Sequence, residues 1–295
     1  MVNGNQENNL IQVVVLKLAY NVEALAMLGI RKYKTLNIER MMIVEQMLKN
    51  AQNPLLHIAD VSGSAFVNAD CFDVFPFIED KSIDAIICDL PYGTTACKWD
   101  SVLPFDKLWK EYERIIKPNG AIVLFGSQPF TSALIMSNPK LFKYELIWDK
   151  KTGLGFLDSK FRPLKSHENI IVFGLGGCSN GSKIPMKYNP QGLIETTKQN
   201  KNTKSNILNS EPKKRENLGT THTNYPKSIH TFSRVSGNHP TEKPLELLEY
   251  LVKTYTNESD IVLDNCMGSG TTNLACIKLN RKSIGIEKEK QYYDV

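Results

Sequence analysis

The sequence predicts an α/β protein built on a mostly parallel sheet. Two observations carry that expectation. Short apolar runs bounded by Asp, Gly and Pro alternate with helix-like stretches over most of the chain. Two of those runs end in an acid and a turn, as strands do where an open parallel sheet binds a ligand. Composition agrees: 41% hydrophobic and 23% charged residues in a chain of 295 are ordinary for a globular protein.

Residues 10–50 read as helical, rich in Ala, Leu, Met, Glu and Lys, without Pro and with apolar spacing of three to four. Strands are then expected at Ala65–Asn68, Ile83–Cys88, Ala121–Phe125, Glu145–Trp148 and Asn169–Phe173, with a helix at Phe105–Ile116. Later come a helix at Leu245–Lys253, a strand at Ile261–Leu263, a helix at Thr272–Leu279 and a strand at Ser283–Ile286. The longest apolar runs are strand-length, so no membrane-spanning helix is expected. Lys17, Asn21 and Glu23 interrupt the apolar residues near the start, which does not read as a secretory signal. Six cysteines (Cys71, Cys88, Cys97, Cys178, Cys266 and Cys276) form no CxxC pair, the usage of reduced thiols in a cytoplasm and not of a metal site.

The net charge of +5 is unevenly spread. Residues 175–235 carry +7 in 61 residues, against −2 for the other 234. This segment is rich in Asn, Lys, Ser, Thr and Gly and reads as a long, partly flexible insertion. Its composition fits a solvated linker and an anion-binding segment equally well.

Two patches carry chemistry. Asp89, Leu90, Pro91 and Tyr92 close the apolar run Ile83–Cys88. Pro91 stiffens the turn, so the Asp89 carboxylate and Leu90 carbonyl become two neighbouring acceptors beside a flat ring. That set fits an amine on a planar base; in isolation, a capping Asp and a core Tyr fit it better. In the second patch, Ile261–Leu263 leads into Asp264, Met267, Gly268, Ser269, Gly270, Thr271 and Thr272, and Glu287 follows 17 residues after Gly270. Glycines admit a ligand close to the backbone, and an acid after the next strand suits ribose hydroxyls. The third glycine of a dinucleotide fingerprint and the Lys of a P-loop are both missing, which disfavours NAD and ATP. A ligand with a ribose and a cationic tail fits better. Residues 238–244 precede this patch, with Lys243 and Pro244 at a helix start.

In this order the patches resemble the β-group DNA amino-methyltransferases, the N6-adenine/N4-cytosine family. Asp89 to Tyr92 looks like that family's catalytic tetrapeptide D/N/S-P-P-Y/F/W, with Leu90 in place of the first proline. Asp264 to Thr272 looks like its D-x-F-x-G-S-G-T-T cofactor loop, with Met267 as a departure, and His239 to Pro244 like its H-P-T-x-K-P element. The resemblance implies a Rossmann-like methyltransferase fold with a seven-stranded sheet and circularly permuted motif order. It implies S-adenosylmethionine as cofactor, held by Asp70, Cys71, Asp89, Lys243, Pro244, Asp264, Met267, Gly268, Ser269, Gly270, Thr271, Thr272 and Glu287. It also divides the chain into an N-terminal extension (1–55), a catalytic half (56–174), a target-recognition insert (175–235) and a cofactor-binding half (236–295).

The activity implied is methyl transfer to the N6 amine of an adenine flipped out of double-stranded DNA, with Asp89, Leu90, Pro91 and Tyr92 as the catalytic turn. Asp as its first residue favours adenine. An N4-cytosine enzyme and a catalytically inactive DNA-binding subunit are the alternatives. Lys213, Lys214 and Arg215 are the expected phosphate contacts, and Lys98, Trp99 and Asp100 are placed to line the base pocket. The resemblance also implies a cytoplasmic, nucleoid-associated protein and is compatible with a homodimer and a cognate restriction endonuclease. The chain stops at Val295, where the family continues through a helix, so residues 10–50 are the expected cover for that sheet face.

Overall fold

The computed structural model describes residues 57–61, 63–94, 100–196, 222–235 and 242–294. All lie in the second of the two units into which the chain divides, Leu55–Val295. The strands are β1 (His57–Val61), β2 (Ser64–Asn68), β3 (Ile83–Cys88), β4 (Ile116–Gly126), β5 (Phe142–Leu154), β6 (Lys165–Gly174), β7 (Ile194–Glu195), β8 (His222–Thr223), β9 (Ile229–Thr231), β10 (Ile261–Asp264) and β11 (Lys282–Glu287). The helices are α1 (Cys71–Val74), α2 (Phe105–Ile115), α3 (Phe130–Ser137), α4 (Leu245–Tyr255), α5 (Thr271–Lys278) and α6 (Lys290–Tyr293).

The main sheet has the order β1-β2-β11-β10-β3-β4-β6-β5-β9. Its middle seven strands are the expected core, and the short edge strands β1 and β9 extend it to nine. Pairing is parallel from β2 to β4 and between β5 and β9. Strand β6 runs antiparallel to both neighbours, because β5 returns through a tight tip with no crossover helix.

Every residue of β3 is buried, as expected for a parallel strand covered on both faces. Ala85 and Ile87 face a core shared with Leu247, Leu251 and Tyr255 of α4 and Ala275 of α5. Helix α2 buries Leu108, Trp109, Tyr112 and Ile115, a helical spacing that makes one apolar face. Its Trp109 ring packs 4.9 Å from that of Phe173 in β6.

From β3 the chain moves through α2 to β4 on one side; from β10 it moves through α5 to β11 on the other. Since β3 and β10 are neighbours, their carboxyl ends flank the point where the winding reverses, which is where such sheets form a crevice. Gly285 keeps this region tight: a Cβ there would lie 2.5 Å from Met267 Sδ and 2.6 Å from Asn273 Nδ2.

Part of the basic segment is built into the body. Met186 is buried in the core, and Lys187 bridges Asp84 (3.1 Å) and Asp260. The Asn189 amide donates to the carbonyls of Lys253 (3.2 Å) and Thr256 (3.0 Å). These anchors override the flexible texture read from composition there. Strand β9 completes the sheet edge beside β5, with Ile229 opposite Ile147. Residues 10–50, which were expected to be helical, lie outside the described residues. Among the described residues, no helix is long and apolar enough to cross a membrane, and no group of His, Cys, Asp and Glu is arranged to hold a metal. Cys71, Cys88, Cys178, Cys266 and Cys276 are free thiols.

Candidate functional site

Asp89 leaves the end of β3, and the next three residues turn across the crevice. Leu90 is buried, anchoring the turn. Gly93 takes a left-handed φ of +67°, and the backbone N–H groups of Gly93 and Thr94 donate to the two carboxylate oxygens of Asp100 (2.8 and 2.9 Å). Asp100, expected to line the pocket, therefore also closes the loop that shapes it. The Tyr92 hydroxyl donates to Asp89 Oδ1 at 2.6 Å, and its ring stacks on Phe130 at 4.9 Å and 27°. Tyr92 is thus fixed at both ends. Burial, then the negative charge of Asp89, push its phenol well above the ordinary range.

A run of alternating charges lies behind Asp89. The Lys243 ammonium donates to Asp89 Oδ2 and lies 3.6 Å from Glu168 Oε2, while Lys150 donates to Glu168 Oε1. Lys243 and Lys150 also sit over the rings of Phe125 and Trp148, at 5.1 and 4.9 Å. Burial opposes the charge on Lys243, but Asp89 and Glu168 outweigh it and hold its pKa above the usual lysine value. Burial likewise opposes the Glu168 carboxylate, and Lys243 and Lys150 together hold its pKa down. Two cations and two anions balance, the condition under which buried charges are tolerated.

The second patch lies across the crevice. Asp264, the last residue of β10, is buried and accepts from the Cys266 N–H at 3.2 Å. Burial pushes its carboxyl up to about 6, against the hydrogen bonds of Thr272, Cys266 and Cys88. Gly268 and Gly270 take φ of +54° and +75°, which glycine adopts without a Cβ clash. The Gly268 N–H donates to Glu287 Oε2 at 2.9 Å, and Glu287 Oε1 accepts from the Glu289 N–H at 2.7 Å. Asp70 caps α1 through the Phe72 N–H (3.0 Å) and pairs with Lys288 (3.1 Å). The Asn68 amide donates to the Glu287 carbonyl at 2.8 Å, joining the end of β2 to the end of β11.

A cavity of about 460 Å³ opens between the two halves. Asp70, Cys71, Asp89, Leu90, Pro91, Tyr92, Lys243, Asp264, Met267, Gly268, Ser269, Thr271, Thr272 and Glu287 all line it. Pro244 and Gly270 do not: Pro244 opens α4, and Gly270 shapes the turn into α5. His239 to Thr241, Lys98, Trp99, Lys213, Lys214 and Arg215 lie outside the described residues. Sequence reasoning missed Lys150 and Glu168. Their one signal is a charged residue beside each of two apolar strand runs, and only the antiparallel register of β5 and β6 brings them together.

The donor set favours one kind of ligand. Asp70, Asp264 and Glu287 supply carboxylate acceptors suited to hydroxyls and ammonium groups. The Gly268 N–H is taken by Glu287 and the Gly270 N–H by the Met267 carbonyl, so neither glycine offers its N–H to an anion. A Cβ added to Gly268 would meet nothing within 4 Å, so there is room directly over the loop.

Comparison with known proteins agrees. A type II methyltransferase, M1.MboII of Moraxella bovis, is 28% identical over 240 residues, 76% of this chain and 91% of its own length. A crystal structure of the M1.HpyAVI–SAM complex matches with a TM-score of 0.52 and 27% identity, covering 78% of this chain and 96% of that one. The cytosine-N4-specific PvuII DNA methyltransferase shares the fold at a TM-score of 0.56 and 15% identity, covering 78% of this chain and 83% of its own. The N6/N4 DNA methylase family matches residues 83–295, spanning the Asp89–Tyr92 turn, the buried Lys243 and the glycine loop, and the chain belongs to that family.

Proposed function

We propose that the protein transfers a methyl group from S-adenosylmethionine to the N6 amine of an adenine flipped out of double-stranded DNA. The observation that carries this reading is the position of Asp89, in one cavity with the glycine loop and Glu287 and held from behind by Lys243. Asp70, Asp264 and Glu287 supply carboxylates suited to the ribose and ammonium of S-adenosylmethionine, which needs no phosphate cradle. When bound, it supplies an electrophilic methyl group.

The chain's own residues do the rest. Asp89 and the Leu90 carbonyl accept the two hydrogens of the target amine, which turns its lone pair away from the ring and towards the methyl group. Each carboxylate oxygen has two lone pairs, so Asp89 can accept from the base while still held by Tyr92 and Lys243. Tyr92, stacked on Phe130, lines the cavity and offers its ring to the base there. Once nitrogen is methylated, Asp89 is placed to take its surplus proton. No protein nucleophile is needed, and positioning supplies much of the acceleration.

The test is expression in a host lacking adenine methylation, followed by direct sequencing of modified bases. N6-methyladenine at one short motif, lost in Asp89→Ala, supports the reading. N4-methylcytosine would move the assignment to cytosine. No modified base would leave the DNA-binding subunit as the better account.

A further inference from the structure

Between β5 and β6 the chain forms a tip that leaves large apolar side chains in water. Phe156, Leu157 and Phe161 are 79%, 96% and 89% exposed. Scattered exposed apolar residues need no explanation, but three of them within six residues of one exposed tip do. The tip is a built knuckle. Gly155 enters it at φ +89°, the Asp158 N–H donates to the Gly155 carbonyl (3.0 Å), and the Phe161 N–H donates to the Asp158 carbonyl (2.9 Å). Lys151, Lys160, Arg162 and Lys165 are exposed around it, with Asp158 the single acid, paired to Arg162.

The tip starts at the cavity mouth. Leu154, just before it, lines the cavity, and Lys165, just after it, donates to the hydroxyl of Ser127, which also lines the cavity. An apolar knob ringed by cations beside the cavity that holds Asp89 matches two needs of base extrusion. The cations pair with phosphates, and the apolar side chains fill the stack where a base has left. A second copy of the chain fits less well, since a two-fold contact would set these cations against their own copies.

We propose that the β5–β6 tip is a wedge: Phe156, Leu157 and Phe161 enter the duplex beside the cavity and hold open the gap left by the flipped base. This rests on the reading that duplex DNA is the substrate. The test measures single-turnover methyl incorporation from labelled S-adenosylmethionine by the full chain. Two duplexes carry the mapped motif, one fully paired and one mismatched opposite the target base, which is then already loose. For the triple variant Phe156→Ala, Leu157→Ala and Phe161→Ala, the rate on paired duplex falls about tenfold or more and is largely restored on the mismatched one. Equal rates on paired duplex, or an equal loss on both duplexes, overturn the wedge. A smaller sedimentation coefficient for the variant would overturn it too, identifying the tip as a contact between copies. A wild-type protein inactive on both duplexes refutes the substrate reading instead.

Discussion

Lys243 donates a hydrogen bond to Asp89 from a position only 8% exposed, with a second carboxylate, Glu168, 3.6 Å away on its other side. The ammonium thus fixes the orientation of the residue proposed to meet the target amine. Replacing it with Met keeps much of the side-chain volume but leaves Asp89 without its cation and Glu168 with Lys150 alone. Breaking a buried pair in this way costs about 3 kcal/mol. Lys243→Met is expected to lower the urea midpoint accordingly and to slow methyl transfer about a hundredfold. A variant as active as wild type would show that Lys243 does not position Asp89.

Glu168 gives a pH signature. Its folded pKa lies below the ordinary 4.5, because Lys243 and Lys150 outweigh burial. A carboxyl lowered on folding contributes stability above its unfolded pKa and loses it as pH falls through the folded one. Glu168→Gln keeps the shape and removes the charge. Its stability deficit against wild type is therefore expected to be full at neutral pH and to shrink on acidification to about pH 3. Urea titrations of both proteins at the two pH values check this. A deficit independent of pH would assign Glu168 a packing role alone.

How much of this site was legible depended on whether chemistry sat at a readable punctuation mark. Asp89, Asp264 and Glu287 each follow an apolar strand run, so their shared edge could be inferred from the periodicity of parallel strands. Lys150 and Glu168 meet only because β5 and β6 pair antiparallel, a register that no local residue encodes. The stacking of Phe130 on Tyr92 and the closure of the loop by Asp100 are likewise tertiary. Lys187 shows the opposite error: counted among the cations of a partly flexible insert, it is held by Asp84 and Asp260 at the far end of the sheet. Net charge located the basic segment but could not separate anchored cations from free ones.

Asp264 should make cofactor binding depend on pH. Burial holds its carboxyl at about 6, so it is ionised at neutral pH and protonated in mild acid. If the carboxylate faces the cationic end of S-adenosylmethionine, protonation removes that attraction, and affinity must fall with pH. Between pH 7 and 5 the ionised fraction drops about tenfold, and the dissociation constant is expected to rise by about the same factor. Glu287, whose carboxyl burial also raises, adds in the same direction. Calorimetric titration of the full chain across this range measures it. Asp264→Asn keeps an acceptor for the Cys266 N–H and should bind weakly with a much flatter profile. An unchanged wild-type affinity across the range would place the cationic end of the cofactor away from Asp264.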